Sequence, residues 1–211
     1  AVESFPEAQR IAARARFVSD TRLALDDGSV VDAGRIVIAT GSRPRILPIF
    51  GGLGDRLVTN ADLFEMEDLP ASVAVFGAGV IGLELGQALR RLGVRVTLYG
   101  KGGFVGPLTD AALRDTAAAT IQSEMPFHPD VDAYPEATAE GVRVTCDGAT
   151  ETFDYVLAAT GRQPNVEGLG LAATSLALDG QGVPHHDPQT GQCGDSPVFI
   201  AGDATAEEPL L

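Results

Sequence analysis

Three glycines, Gly77, Gly79 and Gly82, stand in the spacing Gly-x-Gly-x-x-Gly between an apolar run and an amphipathic one, and they carry the clearest chemistry in this sequence. The first allows a tight turn off a strand, and the second lets backbone amides approach a pyrophosphate closely. The third lets the next helix pack near the strand. With Val80 and Ile81 they form a candidate phosphate loop, in which the phosphates meet the positive end of a helix. The pattern is weak alone, because a plain strand-to-helix turn can show it. It gains weight from its setting: residues 73–99, VAVFGAGVIGLELGQALRRLGVRVTLY, lay out strand, turn, striped helix and second strand, the start of a dinucleotide-binding βαβ unit.

Other residues bear on that site. The second strand of such units ordinarily ends in an Asp or Glu that accepts the adenosine ribose hydroxyls and selects NAD. Here that position is Gly100, and Lys101, the sole lysine, follows it. Lys101 could pair with the extra phosphate of NADP, or it could be a solvated loop charge. Glu84 falls on the expected first helical turn, where it either caps the helix or points past the phosphates to a cation near the reacting ring. Asp203 follows an apolar run and Gly202, which presents a carboxylate at a strand end, as a turn or as a ligand site. His185 and His186 are adjacent and His128 lies among prolines, so the sequence supports no metal site and no Ser-His-Asp arrangement.

The elements that must position these residues can be read in outline. ARFVS, TRLAL and SVVDA, with a turn at Asp26-Asp27-Gly28, suggest a β-meander feeding a strand over Ile36–Thr40 covered on both faces. Residues 42–54 read as loop, and 60–70 as a short helix with Asn60 as N-cap, stopped by Pro70. After Gly79 the residues Ile81, Leu85, Ala88, Leu89 and Leu92 form one apolar stripe, closed by Gly93. Thr109–Met125 reads as a second helix, capped by Thr109 or Asp110. Strands are expected over Val142–Cys146 and Thr152–Thr160 around a turn at Asp147-Gly148, and over 198–203. No fixed-period repeat appears, but ATG occurs at 39–41 and again at 159–161.

The 211 residues, 45% apolar and 21% charged, suit a folded protein of one large or two small domains. A net charge of −14 argues against nucleic acid or an anionic membrane surface as partner. Neither a membrane-spanning run nor a secretory signal is visible. Cys146 and Cys193 are too far apart for a CxxC or CxxxxC pair and read as reduced thiols of a cytoplasmic protein. Because the glycine motif usually opens a chain and 70 residues precede it here, the sequence reads as the interior of a larger protein.

Four motifs now stand in order: IVIATGSRP, GAGVIGLELG, YVLAATGRQPN and VFIAGDAT. Together they resemble the flavin-dependent pyridine nucleotide-disulfide oxidoreductases, and GAGVIGLELG with RRLGVRVT is most similar to dihydrolipoamide dehydrogenase. The resemblance implies an α/β, three-layer Rossmann-like FAD/NAD(P)-binding fold, with residues 1–68 and 163–211 on the flavin side and an NAD(P) domain, 71–162, inserted between them. It implies that Thr40, Gly41, Ser42 and Asp203 lie along FAD, with Leu210 and Leu211 beginning a helix beside the flavin ring. Gly77 to Gly82 would hold the nicotinamide cofactor's pyrophosphate, with Glu84 near the flavin, Gly100 and Lys101 at the ribose, Val131 against the adenine and Gly161 at the nicotinamide ribose. The implied activity is hydride transfer between NAD, or NADP, and a dithiol/disulfide such as lipoamide through FAD, in a full-length homodimer. The family's first FAD glycine motif, its CxxxxC disulfide and its dimer domain lie outside this sequence, so no catalytic residue is expected here and the chain alone should be inactive. The alternatives are a glutathione reductase-, mercuric reductase- or transhydrogenase-like flavoenzyme, and a non-catalytic dinucleotide-binding module.

Overall fold

The computed structural model describes residues 5–205; Leu210 and Leu211 lie outside them. The chain forms β1 (Ala15–Ser19), β2 (Arg22–Leu25), β3 (Val30–Asp32), β4 (Ile36–Ile38), β5 (Ser42–Pro44), β6 (Leu57–Val58), α1 (Asn60–Phe64), β7 (Ser72–Phe76), α2 (Val80–Arg91) and β8 (Arg95–Tyr99). Then follow α3 (Ala111–Glu124), β9 (Phe127–His128), β10 (Ala133–Thr138), β11 (Gly141–Cys146), β12 (Ala149–Phe153), β13 (Tyr155–Ala158), β14 (Arg162–Pro164) and β15 (Val198–Ile200). Two compact units result, one from residues up to Arg43 together with those from Gln163 onward, the other from Pro44–Arg162.

The second unit is built on a five-stranded sheet in the order β6-β13-β7-β8-β9, with every neighbouring pair parallel. All five residues of β7 are buried, as a central strand covered on both faces requires. Alternation then sorts its side chains. Val73 and Val75 join Leu89 of α2, Leu98 of β8 and Met125 after α3 in one cluster. Ala74 and Phe76 join Val142, Val144 and Phe153 of the antiparallel sheet β10-β11-β12 in another. Helices, parallel sheet and meander are the three layers. The β11–β12 hairpin turns at Asp147 and Gly148, both with positive φ (49° and 79°), the pairing that a tight hairpin of native twist needs.

The first unit carries the meander β1-β2-β3, antiparallel throughout, and β4 paired in parallel with β15. Its core joins Phe17, Ile36, Ile38, Val198 and Ile200.

Several expectations are corrected. The strand at β4 ends at Ile38 and is covered on one face only, since Val37 between the buried Ile36 and Ile38 is 60% exposed. Residues 42–54 are not plain loop: β5 and a 3-10 turn at Pro48–Phe50 fall within them, and β6 beyond joins the parallel sheet. The cap of α1 is Thr59 rather than Asn60. The Asp62 carboxylate accepts the Thr59 amide at 2.8 Å and hydroxyl at 2.7 Å in a capping box, and α1 ends at Phe64, short of Pro70. Thr152–Thr160 is two strands in two sheets, because Asp154 turns the chain between them: its carboxylate accepts the Ser72 amide at 2.8 Å at the start of β7.

The stripe of α2 also shifts. Gly82, Gly86 and Leu89 are buried, with Ile81 and Leu85 partly so, whereas Ala88 is exposed and Leu92 is 65% exposed. Leu92 is the C-cap, and Gly93 beyond it has φ +93°. The Gly93 amide donates to the Arg90 carbonyl and the Val94 amide to the Leu89 carbonyl, which swings Leu92 off the buried face. Asp110 caps α3, accepting the Leu113 amide at 3.0 Å. Leu89→Ala should therefore cost about 2–5 kcal/mol of unfolding free energy by chemical denaturation. Leu92→Ala should change it by no more than about 0.5 kcal/mol.

Candidate dinucleotide-binding site

Because the strands of the central sheet run parallel, the segments leaving β13, β7, β8 and β9 emerge at one edge. The Ala159 amide donates to the Phe76 carbonyl, Gly77 to Tyr99, Gly100 to His128 and Val131 to Gly100, at 2.7–3.1 Å, so the ladder continues past the strand ends. This brings Gly77, Gly79, Val80, Ile81, Gly82, Gly100, Lys101, Val131 and Gly161 to that edge of one unit.

The three glycines of the motif do different work. At Gly77, with φ +114°, an added Cβ would lie 2.1 Å from the Ala159 carbonyl oxygen; at Gly82 it would lie 1.9 Å from that of Gly77. Both positions are closed by backbone. Gly79 has no atom within 4 Å of where its Cβ would stand and no positive φ. It is the N-cap of α2, and no side chain caps the helix. Gly79 and Val80 are exposed and no side chain caps the start of this twelve-residue helix, an arrangement that fits a pyrophosphate.

Glu84 is exposed in the second turn of α2, not the first, and it caps nothing. A cleft of 210 Å³ opens beside the motif, lined among others by Gly77, Gly100, Lys101, Val131 and Thr160. It also has Leu47 and Ile49 from the Pro-rich stretch, with Asp132 and Tyr134, none of them foreseen. Neither the nearness of Asp130 and Asp132 to Lys101 nor that of Leu47 and Ile49 to the motif had a signal in the sequence, because each is set by the parallel packing of distant strands. Lys101 donates to Asp132 at 2.7 Å, and this bond raises the ammonium pKa above its ordinary value.

In the first unit the parallel pairing of β4 with β15 sets the ATG turn at Thr40-Gly41-Ser42 beside the segment carrying Asp203. Ser42 Oγ donates to the Asp203 carboxylate at 3.0 Å across 161 residues of sequence. Asn165, not singled out from the sequence, fastens the turn: its side chain donates to the Thr40 carbonyl at 3.0 Å and its amide to the Gly41 carbonyl at 2.9 Å. Arg43 in turn donates to Asn165 Oδ1 at 3.0 Å and pairs with Glu167.

Cys146 and Cys193 are both free and buried, in different units. Burial raises both thiol pKa values. Among the described residues no cluster of His, Cys, Asp and Glu could hold a metal ion, and no helix is long and apolar enough to cross a membrane.

The sequence pattern of the pyridine nucleotide-disulphide oxidoreductases matches residues 4–211, and the chain belongs to this family. It is 37% identical over 200 residues to dihydrolipoyl dehydrogenase 3 of Pseudomonas aeruginosa, covering 90% of this chain and 42% of that protein. It is 33% identical over 213 residues to a mercuric reductase of Shigella flexneri, covering 91% and 37%. Among solved structures, LpdA from Mycobacterium tuberculosis superposes with a TM-score of 0.80 at 30% identity, over 95% of this chain and 46% of that one. The HOCl-induced flavoprotein disulfide reductase RclA from Escherichia coli superposes with a TM-score of 0.83 at 21% identity, over 95% and 46%, a likeness of fold. The expected α/β Rossmann-like fold of flavoprotein disulfide reductases is therefore the fold observed. The chain spans under half the length of these relatives.

The glycines make separable predictions. Gly77→Ala and Gly82→Ala should each lose about 3 kcal/mol or more of stability, since backbone must move. Gly79→Ala should cost about 1 kcal/mol at most while weakening dinucleotide binding, as a thermal melt and a titration of the same variant will show. A colorimetric thiol reagent at pH 8 tests the cysteines: with both pKa values raised, little thiolate exists in the native chain, so both should react slowly until denaturant is added.

Proposed function

We propose that this chain is the NAD(P)- and FAD-binding part of a flavin-dependent oxidoreductase of the dihydrolipoamide dehydrogenase kind, which passes hydride between a nicotinamide cofactor and a dithiol/disulfide. The observation that carries this reading is the uncapped amino end of α2 at Gly79, with open space before it and backbone closed behind it at Gly77 and Gly82.

In this reading the amides of Val80, Ile81 and Gly82 hold the pyrophosphate, Val131 packs on the adenine and Gly161 lies at the nicotinamide ribose. Residues 71–162 are then the NAD(P) domain, with 1–68 and 163–211 on the flavin side. Thr40, Gly41 and Ser42 follow the FAD, and the Asp203 carboxylate accepts from its ribityl hydroxyls. FAD supplies a two-electron relay between hydride carriers and thiols. The protein's part is to orient and to tune by charge, and Glu84, exposed on α2, is the carboxylate we assign to the flavin's surroundings. The redox disulfide belongs to the intact protein, since both cysteines here are buried apart. We further propose that the intact protein is a cytoplasmic homodimer acting on lipoamide, with no nucleic-acid or membrane partner. The similarity to mercuric reductases, 33–34% identical over most of this chain, supports mercuric ion as the second substrate to assay.

Calorimetric titration of this chain with NADH tests the reading. A saturable isotherm that Gly79→Ala weakens is the expected result, and no saturation at millimolar NADH would contradict it. For the intact protein, nicotinamide-dependent turnover with lipoamide should exceed that with glutathione or mercuric ion. Binding without turnover on any of them would favour a non-catalytic module.

A further inference from the structure

Gly100 follows β8 without the carboxylate that selects NAD, and the cation Lys101 comes next. The segment after β9 answers both features. An added Cβ at Gly100 would lie 2.6 Å from the Pro129 carbonyl oxygen and 3.1 Å from the Ala78 Cβ, so this backbone has no room for an acidic side chain there. Instead the Asp130 carboxylate accepts the Gly102 amide at 2.7 Å, and the Pro129 carbonyl accepts the Gly103 amide at 3.2 Å. Asp132 accepts from the Lys101 ammonium at 2.7 Å. The Gly102 and Gly103 amides and the Lys101 ammonium thus all have partners within residues 129–132. The cleft wall holds Lys101, Val131 and Asp132 side by side.

We propose that Asp130 and Asp132 make this site select NAD over NADP, with Asp132 supplying from the neighbouring segment the ribose-facing carboxylate that Gly100 cannot carry. The proposal rests on the dinucleotide reading above and adds its specificity. The Lys101–Asp132 pair is exposed, so its own energy is small and Lys101 can swing away. The swap is what carries the cost: a 2′-phosphate reaching Lys101 would leave two carboxylates facing a dianion, with one ammonium between them. Repulsion of this kind discriminates between ligands even where attraction is weak. A ribose 2′-hydroxyl meets no such opposition and has a carboxylate to donate to.

The test is calorimetric titration of NADH and NADPH, separately, into the chain and into Asp132→Asn and Asp132→Asn/Lys101→Ala. Wild type should bind NADH roughly tenfold or more tighter than NADPH. Asp132→Asn should narrow that ratio by strengthening NADPH, because Lys101 is released, and the added Lys101→Ala should remove the gain. The ratio is taken on one sample of each variant, so a partly unfolded fraction does not move it. Equal or tighter NADPH binding by wild type, or a ratio unchanged in Asp132→Asn, would overturn the selectivity while leaving dinucleotide binding intact. Failure of wild type to bind either nucleotide would overturn both.

Discussion

The structure of the second unit depends on one close approach of backbone to backbone. The turn leaving β7, the first turn of α2 and the strand end at Ala159 meet within distances that exclude even a methyl group at Gly77 and Gly82. That approach packs the start of the helix closely against the sheet, with Ala159 at the end of the neighbouring strand. A longer turn would hold the same strand and helix but would point the first helical amides elsewhere. Between the two closed positions, Gly79 stands open.

Alternation within β7 distributes the consequences. Val73 and Val75 hold the helical layer and Ala74 and Phe76 hold the meander, so one strand anchors both faces. The parallel pairing of its neighbours then collects at one edge residues scattered from Leu47 to Thr160. In the first unit the same logic runs on a smaller scale, where β4 and β15 bring Ser42 to Asp203. Both ATG turns leave a parallel strand through a glycine of positive φ, Gly41 at +68° and Gly161 at +97°. The repeated tripeptide marks a repeated way of turning the chain at the carboxyl end of a parallel strand.

Much of this was legible in the residues. Glycine spacing, a 3.6-residue stripe and apolar runs are local signals, so the βαβ core, the meander, the caps near Asp110 and Gly93 and the start of the last strand could be read directly, though that strand ends at Ile200 rather than 203 and Asp203 sits in a 3-10 turn. Most of what escaped depends on partners distant in sequence, with Leu92 a local exception. Asp154 divides an apparent single strand because Ser72, 82 residues away, takes its carboxylate. Leu92 fits the stripe by spacing but is turned out by hydrogen bonds that close the helix. Asn165 carries no motif of its own and matters only because the first ATG turn arrives beside it. Gly100 looked like a lost carboxylate; the Pro129 carbonyl shows instead a position with no space for one.

In the proposed function the amides at the start of α2 bind paired phosphates. Amide chemical shifts of the ¹⁵N-labelled chain, followed through a titration with NADH, test it at the atoms concerned. The account predicts saturable shifts largest at Val80, Ile81 and Gly82, and saturable shifts confined to other parts of the chain would contradict it.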